Sequence, residues 1–340
     1  MSAPTLDTQA ASAIPFVVND GPGSPLMRLV RAREFGVIIV CAAFFVLFSV
    51  FAERFLSADN LLTIMQQVAI LGIIAVGMTY VMIAGEIDLS VGSMYGLLGI
   101  VLARLVTGVG IPVWGALVLT IILGVVLGAL NGWVSVYFKI PSFVVTLAGL
   151  VIYKGAGLLL SGGLPVIGSK VPEFKAVFAG FPLPSLSAQT IWMLVVVVIG
   201  AFVLSRTKFG SDVFSTGGHV EAAQGAGINT GRIKIKAFAL TGGLCGLAAV
   251  MTVALLGSAT PLAGQGLELS VIAAVVIGGA SLYGGIGTVW GTLIGAVLTG
   301  MIANALILFG VDSNWQFIAT GLLILGAVLI NTYVSKRANH

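Results

Sequence analysis

"GEIDLSVGS", residues 85–93, sets how this chain is read. Residues 61–85 carry no formal charge, and roughly 20 apolar residues suffice to cross a bilayer. Glu86 and Asp88 then arrive two positions apart, with glycines on both sides. A carboxylate at the centre of a spanning helix costs about 2.5–3.5 kcal/mol on insertion scales, so two ionised carboxylates do not belong in lipid. The stretch therefore reads as the end of one helix and the start of another at Val91. Asp88 or Ser90 serves as an N-cap whose oxygen accepts orphan backbone N–H groups. A compatible reading has the helix broken inside the protein, with polar groups lining a wet cavity. Gly92 belongs to the same break. Glu86 stays open between contact with solvent or a partner protein at a helix end and contact with a solute.

Composition carries the argument to the whole chain. Its 340 residues are 58% hydrophobic and only 8% charged, against about 25% charged in a soluble domain. No soluble core hides that much apolar surface, so the chain reads as an all-α, polytopic membrane protein. Apolar runs place about ten spans near 35–52, 61–84, 91–108, 112–137, 142–160, 190–204, 237–257, 269–284, 287–308 and 315–334. Broken or re-entrant segments are expected near 85–93 and 278–291.

The net charge of +4 sits in short loops, where it sets topology rather than binding nucleic acid. Arg28, Arg31 and Arg33 precede the first span; Arg206, Lys208, Arg232, Lys234 and Lys236 follow the sixth; Lys336 and Arg337 follow the last. With an even number of spans all three clusters share one side, the cytoplasm by the positive-inside rule, and both termini lie there. Residues 1–34 read as a flexible cytoplasmic tail, 35–334 as the permeating domain and 335–340 as a cytoplasmic C-terminus. The polar start has no basic n-region and is not a cleaved signal. Loop 161–189, rich in Gly and Pro, faces outward, and 205–236, the most polar segment, faces inward.

Within the inner loop, Glu221, Ala222 and Ala223 start a short helix that Gly227 stops. That helix lies along the membrane surface or is presented to a cytoplasmic partner. "IAG" at 83–85 and "GSMYG" at 92–96 are echoed by "IGG" at 277–279 and "GTVWG" at 287–291. The echo reads either as a repeat that places broken helices at matching positions or as small residues recurring in a packed bundle. On the ten-span count it is a parallel repeat.

Cys41 and Cys245 read as small buried hydrophobes. The two histidines are too few and too far apart for a metal site. No Gly-x-x-x-x-Gly-Lys-[Ser/Thr], HExxH or GxSxG pattern occurs. The chain is expected to hold no catalytic residue, metal or cofactor, and any ATP-driven work belongs to another chain.

Four segments, in order, resemble the membrane permease subunits of bacterial ATP-binding-cassette importers for simple sugars, the ribose, xylose and galactose family. They are "AGEIDLSVGS" at 84–93, "IPSFVVTLAGL" at 140–150, "GGHVEAAQGAGIN" at 217–229 and "IAAVVIGGASLYGGIGTVWGTLIGA" at 272–296. Glu86 stands where that family more usually has glycine. The resemblance implies an inner-membrane pore of two permease chains in lipid, expected as a homodimer, with a cytoplasmic ATPase below and a periplasmic sugar-binding protein above. It implies that Glu221, Ala222, Ala223 and Gly227 belong to the segment receiving the ATPase stroke. Polar residues inside apolar spans, Gln66, Gln67, Asn131, Thr146 and Asn304, are the solute-pathway candidates, each weighed against bonding to a neighbouring helix. The alternatives are a branched-chain amino-acid permease of similar architecture, a stand-alone secondary transporter and an integral-membrane enzyme.

Overall fold

The computed structural model describes residues 34–168, 171–183, 186–312 and 314–338. The tail before Glu34, with Arg28, Arg31 and Arg33, lies outside the described residues, as do Lys170 and residues 339–340. Glycine, proline and small polar caps set most helix boundaries. In chain order the elements are α1 Glu34–Phe51, α2 Ala58–Ile83, α3 Val91–Thr107, α4 Val113–Phe138, α5 Ser142–Ser161, β1 Val166–Ile167, α6 Pro172–Ala179 and α7 Ala188–Arg206. Then come α8 Lys208–Gly218, α9 Val220–Gly225, α10 Thr230–Leu256, β2 Ser258–Ala259, α11 Leu267–Ile277, α12 Val289–Leu308 and α13 Trp315–Ala338. Among the described residues, α2, α4, α5, α7, α10 and α12 are long and apolar enough to cross a membrane, while α1, α3, α11 and α13 hold shorter apolar stretches. The chain is a helical, multi-pass membrane protein.

Two boundaries differ from those read off the apolar runs. α10 starts at Thr230, not near 237, because Asn229 Oδ1 accepts the Arg232 N–H at 3.0 Å and caps it. Arg232, Lys234 and Lys236 therefore ride on the helix rather than in a loop. α11 stops at Ile277, not near 284, because Gly279 turns left-handed at φ +91.

Close backbone contact organises the interior. Gly124, Gly128 and Gly132 of α4 lie against Gly242, Phe238 and Ile235 of α10, in that order, so the two helices run antiparallel. Without an apolar driving force between helices in lipid, such small residues gain dispersion contacts by letting backbones approach. β1 pairs antiparallel with β2, Val166 opposite Ala259, at the end of the molecule away from α8 and α9. At that same end Phe174 and Phe178 of α6 pack on Trp114, and Phe178 stacks on Trp192 at 5.5 Å.

Candidate translocation and coupling site

α2 ends in a Schellman motif. The Gly85 N–H bonds the Met82 carbonyl and the Glu86 N–H bonds the Val81 carbonyl, with Gly85 at φ +82. The chain from Glu86 to Ser90 is not helical, and it runs along one face of α5. Ile87 donates its N–H to Ser142 Oγ at 3.2 Å, and Leu89 donates to Thr146 Oγ1 at 3.1 Å. Ser90 then reaches Gly149, whose missing side chain makes the approach possible. Residues 142, 146 and 149 share a helix face, so α5 supplies hydroxyls where the broken backbone lacks partners.

The capping expected of Asp88 and Ser90 takes another form. Ser90 occupies the N-cap position of α3 but makes no side-chain cap bond. Asp88 Oδ1 instead accepts both the Ser90 N–H at 2.9 Å and the Ser90 hydroxyl at 2.6 Å, an Asx-turn that fixes the entry to α3. The Ser90 Oγ accepts from Asn131 Nδ2 at 2.9 Å, and Asn131 Oδ1 accepts from the Tyr153 hydroxyl at 2.7 Å. Asp88, Ser90, Asn131 and Thr146 are all buried. Asp88 Oδ2 is buried without a hydrogen-bond partner among the described residues. Glu86 points the other way and forms an ion pair with Lys234 on α10.

Gly92 starts a second close approach. Gly92, Gly96 and Gly99 line the face of α3 on which residues 259–268 descend: Ala259 at Gly99, Ala263 at Gly96, then Gly264 and Glu268 at Gly92. The glycines of "GSMYG" thus admit a non-helical strap that leads into α11. Those of "GTVWG" serve another contact, with Gly291 against the Gly278 carbonyl and Gly287 against Ile83. The helix stops of the echo do match. α11 ends like α2, the Gly279 N–H bonding Val276 and the Ala280 N–H bonding Val275.

The two stops meet at one junction. Gly285 donates its N–H to the Ile83 carbonyl at 2.8 Å. A side chain on Gly284 would strike the Gly217 carbonyl at 2.7 Å and Gly85 Cα at 2.8 Å. Gly217 lies in the last turn of α8, so three backbones touch: the end of α2, the loop after α11 and the end of α8. A cavity of about 250 Å³ opens beside them, lined by Phe214, Gly279, Ile286 and Thr288 among others.

From that junction the chain enters α9. The His219 Nδ1 accepts from the Ala222 N–H, and Gly227, at φ +81, closes the helix with the Ile228 N–H on the Ala223 carbonyl. Ala223 is buried, while Glu221, Ala222 and residues 224–227 are exposed. The remaining pathway candidates separate. Asn131 and Thr146 brace the break, and Asn304 donates to Asn60 Oδ1 at 2.9 Å in a contact between α12 and α2. Gln66 is half-buried and Gln67 exposed, and neither side chain has a hydrogen bond among the described residues. Lys154, Tyr153 and Glu268 are absent from the residues singled out by sequence, and Lys234 was read there only as a topology-setting charge. Lys154 carried a signal, since it is ionisable within a run taken as apolar; the partnership of Lys234 with Glu86 spans too much chain to be read from spacing.

Interrupted helices are thus braced inside the protein and joined to a short exposed helix at one end. The chain belongs to the family described as branched-chain amino acid transport system / permease component, whose profile matches residues 60–331. It is 35% identical to the ribose import permease protein RbsC of Haemophilus influenzae over 91% of this chain and 95% of that protein. It is 32% identical to the xylose transport system permease protein XylH of Escherichia coli over 96% and 98% of the two chains. Against the Escherichia coli RbsC the identity is 37% over 83% and 88%. No solved structure matches the chain.

Proposed function

We propose that this chain is the pore-forming subunit of an ATP-binding-cassette importer that carries a simple sugar, a pentose, hexose or related polyol, across the bacterial inner membrane. The observation that carries the reading is end-to-end similarity to permeases named for ribose and xylose. Ten segments cross the bilayer: the six long helices, α1, α3 and α13, and α11 together with the 260–266 strap that leads into it. The Lys and Arg pattern puts α8, α9 and both termini in the cytoplasm. Loop 161–189 faces the periplasm and a sugar-binding protein.

α9 takes the stroke of a separate ATPase. Its exposed residues, Glu221 and Ala222, meet the partner, while buried Ala223 and the glycine junction pass movement to both broken helices. Two copies of the chain form the pore. Gln66 and Gln67 keep their place as pathway candidates because no group among the described residues occupies their hydrogen bonds, whereas Asn131, Thr146 and Asn304 serve packing. Glu86 acts at the coupling end, against Lys234, rather than on solute.

The test is reconstitution with the ATPase and binding protein, measuring ATP-dependent uptake of ribose and xylose against leucine. Uptake of a pentose that needs all three components is the expected result. Leucine uptake in its place would support the branched-chain amino-acid reading, which the family description favours. Solute movement by the chain alone, without the ATPase, would make it a secondary transporter.

A further inference from the structure

Ionisable side chains at membrane depth are expensive, and by default they mark functional positions. Lys154 and Glu268 are two that the coupling network leaves unused. Lys154 precedes the end of α5 at Ser161 by about 10 Å at the rise of an α-helix. Contacts along α3 set both depths. Gly149 rests against Ser90 and Gly157 against Leu97, so Lys154 falls level with Met94 and Tyr95. Glu268 meets Gly92, less than one helical turn away.

Both residues are half-buried. The Pro261 carbonyl of the strap lies beside Gly157, about one turn along α5 from Lys154, yet no direct ion pair within 4.0 Å joins Lys154 and Glu268 among the described residues. Glu268 Oε1 accepts the Gly266 N–H at 3.2 Å, and Oε2 lies against Gly92. The strap at 260–266 forms turns rather than a helix at this depth. Irregular backbone persists within a membrane only where protein or a water-filled cavity satisfies it.

We propose that Lys154 and Glu268 form a solute-contact station inside the membrane, where the ammonium donates to, and the carboxylate accepts from, the hydroxyls of an uncharged polyol. This rests on the sugar-permease reading above. An ammonium offers three donors and a carboxylate only acceptors, and each sugar hydroxyl can meet either. An uncharged polyol leaves the station's net charge the same full or empty. The plainer alternative is a long-range tie between α5 and α11, with Lys154 reaching its amine toward the interface.

In proteoliposomes holding the complete transporter, Lys154→Cys and Glu268→Cys are each reacted with a membrane-impermeant thiosulfonate, over the background of native Cys41 and Cys245. Ile152→Cys, on the same helix as Lys154 at an apolar position 63% exposed on the single chain, is the control. Both test positions should react faster than the control by about tenfold, since thiol reactivity follows access to water. Rates no higher than the control's overturn the proposal, whatever solute is carried. Uptake of ribose and xylose reads the contact itself: Lys154→Met and Glu268→Gln should each lower uptake efficiency about tenfold. The exchange Lys154→Glu with Glu268→Lys should not restore it. Restoration by the exchange would mean a mere ionic tie and overturn the solute role. Leucine uptake by the unaltered transporter, with neither pentose carried, would overturn the polyol assignment together with the sugar reading, while the labelling still reports whether the pair faces water.

Discussion

Lys234, in the second turn of α10, forms an ion pair with Glu86, 148 residues earlier and just past the end of α2. It joins the segment that enters from α9 directly to the broken helix. Both side chains are mostly buried, at 21% and 14% exposed. Breaking the pair with Lys234→Met or Glu86→Gln should lower sugar uptake more than ATP hydrolysis. The double variant should lose no more than either single one. Additive losses would show that the two residues act separately.

Glu221 is exposed and has no ion pair among the described residues. Glu221→Ala should therefore leave the melting temperature of the purified chain unchanged while uncoupling ATP hydrolysis from transport in the complex. Unaltered uptake would remove Glu221 from the coupling surface.

Thr146 Oγ1 accepts the Leu89 N–H and its hydroxyl donates to the Ser142 carbonyl at 2.9 Å. Thr146→Val keeps the shape but strands a partly buried N–H, costing about 1 kcal/mol. Thr146→Ser keeps the acceptor and should be close to wild type. Thermal unfolding of the two variants side by side checks this, and equal stability would discount the brace.

Gly284 and Gly225 make a paired test. Gly284 has φ +87, and an added Cβ would meet backbone atoms of Gly217 and Gly85 within 3.0 Å, so Gly284→Ala should collapse expression or folding. Gly225 lies in α9 with nothing within 4 Å of an added Cβ, so Gly225→Ala should be tolerated and gain up to about 1 kcal/mol of helix stability. Yield and melting temperature report both. A well-folded Gly284→Ala protein would mean that the three backbones separate easily.

The helix stops were legible because the signal is local. Gly85, Gly227 and Gly279 each follow an apolar run or a short helix, and each takes the left-handed conformation that closes it. The anomaly of Glu86 and Asp88 was equally legible, since the cost of a carboxylate in lipid depends on residue type and depth alone. The start of α10 was misplaced by the apolar runs, because a short polar cap at Asn229 outweighs the hydropathy of the turns after it.

Residue types in their order were enough to establish a multi-pass helical membrane protein, the course of its longer spans and the places where its backbone breaks. Hydropathy and glycine conformation act within a few residues of one another, and so they can be read in order. What the breaks are for emerged from packing across the chain. Tertiary contacts joined Glu86 to Lys234, set Asp88 on Ser90 rather than on the helix it precedes, and brought Gly85, Gly217 and Gly284 to one point. Those partnerships depend on which helix faces lie together, and helix faces in a bundle are chosen by close packing between segments far apart in the chain.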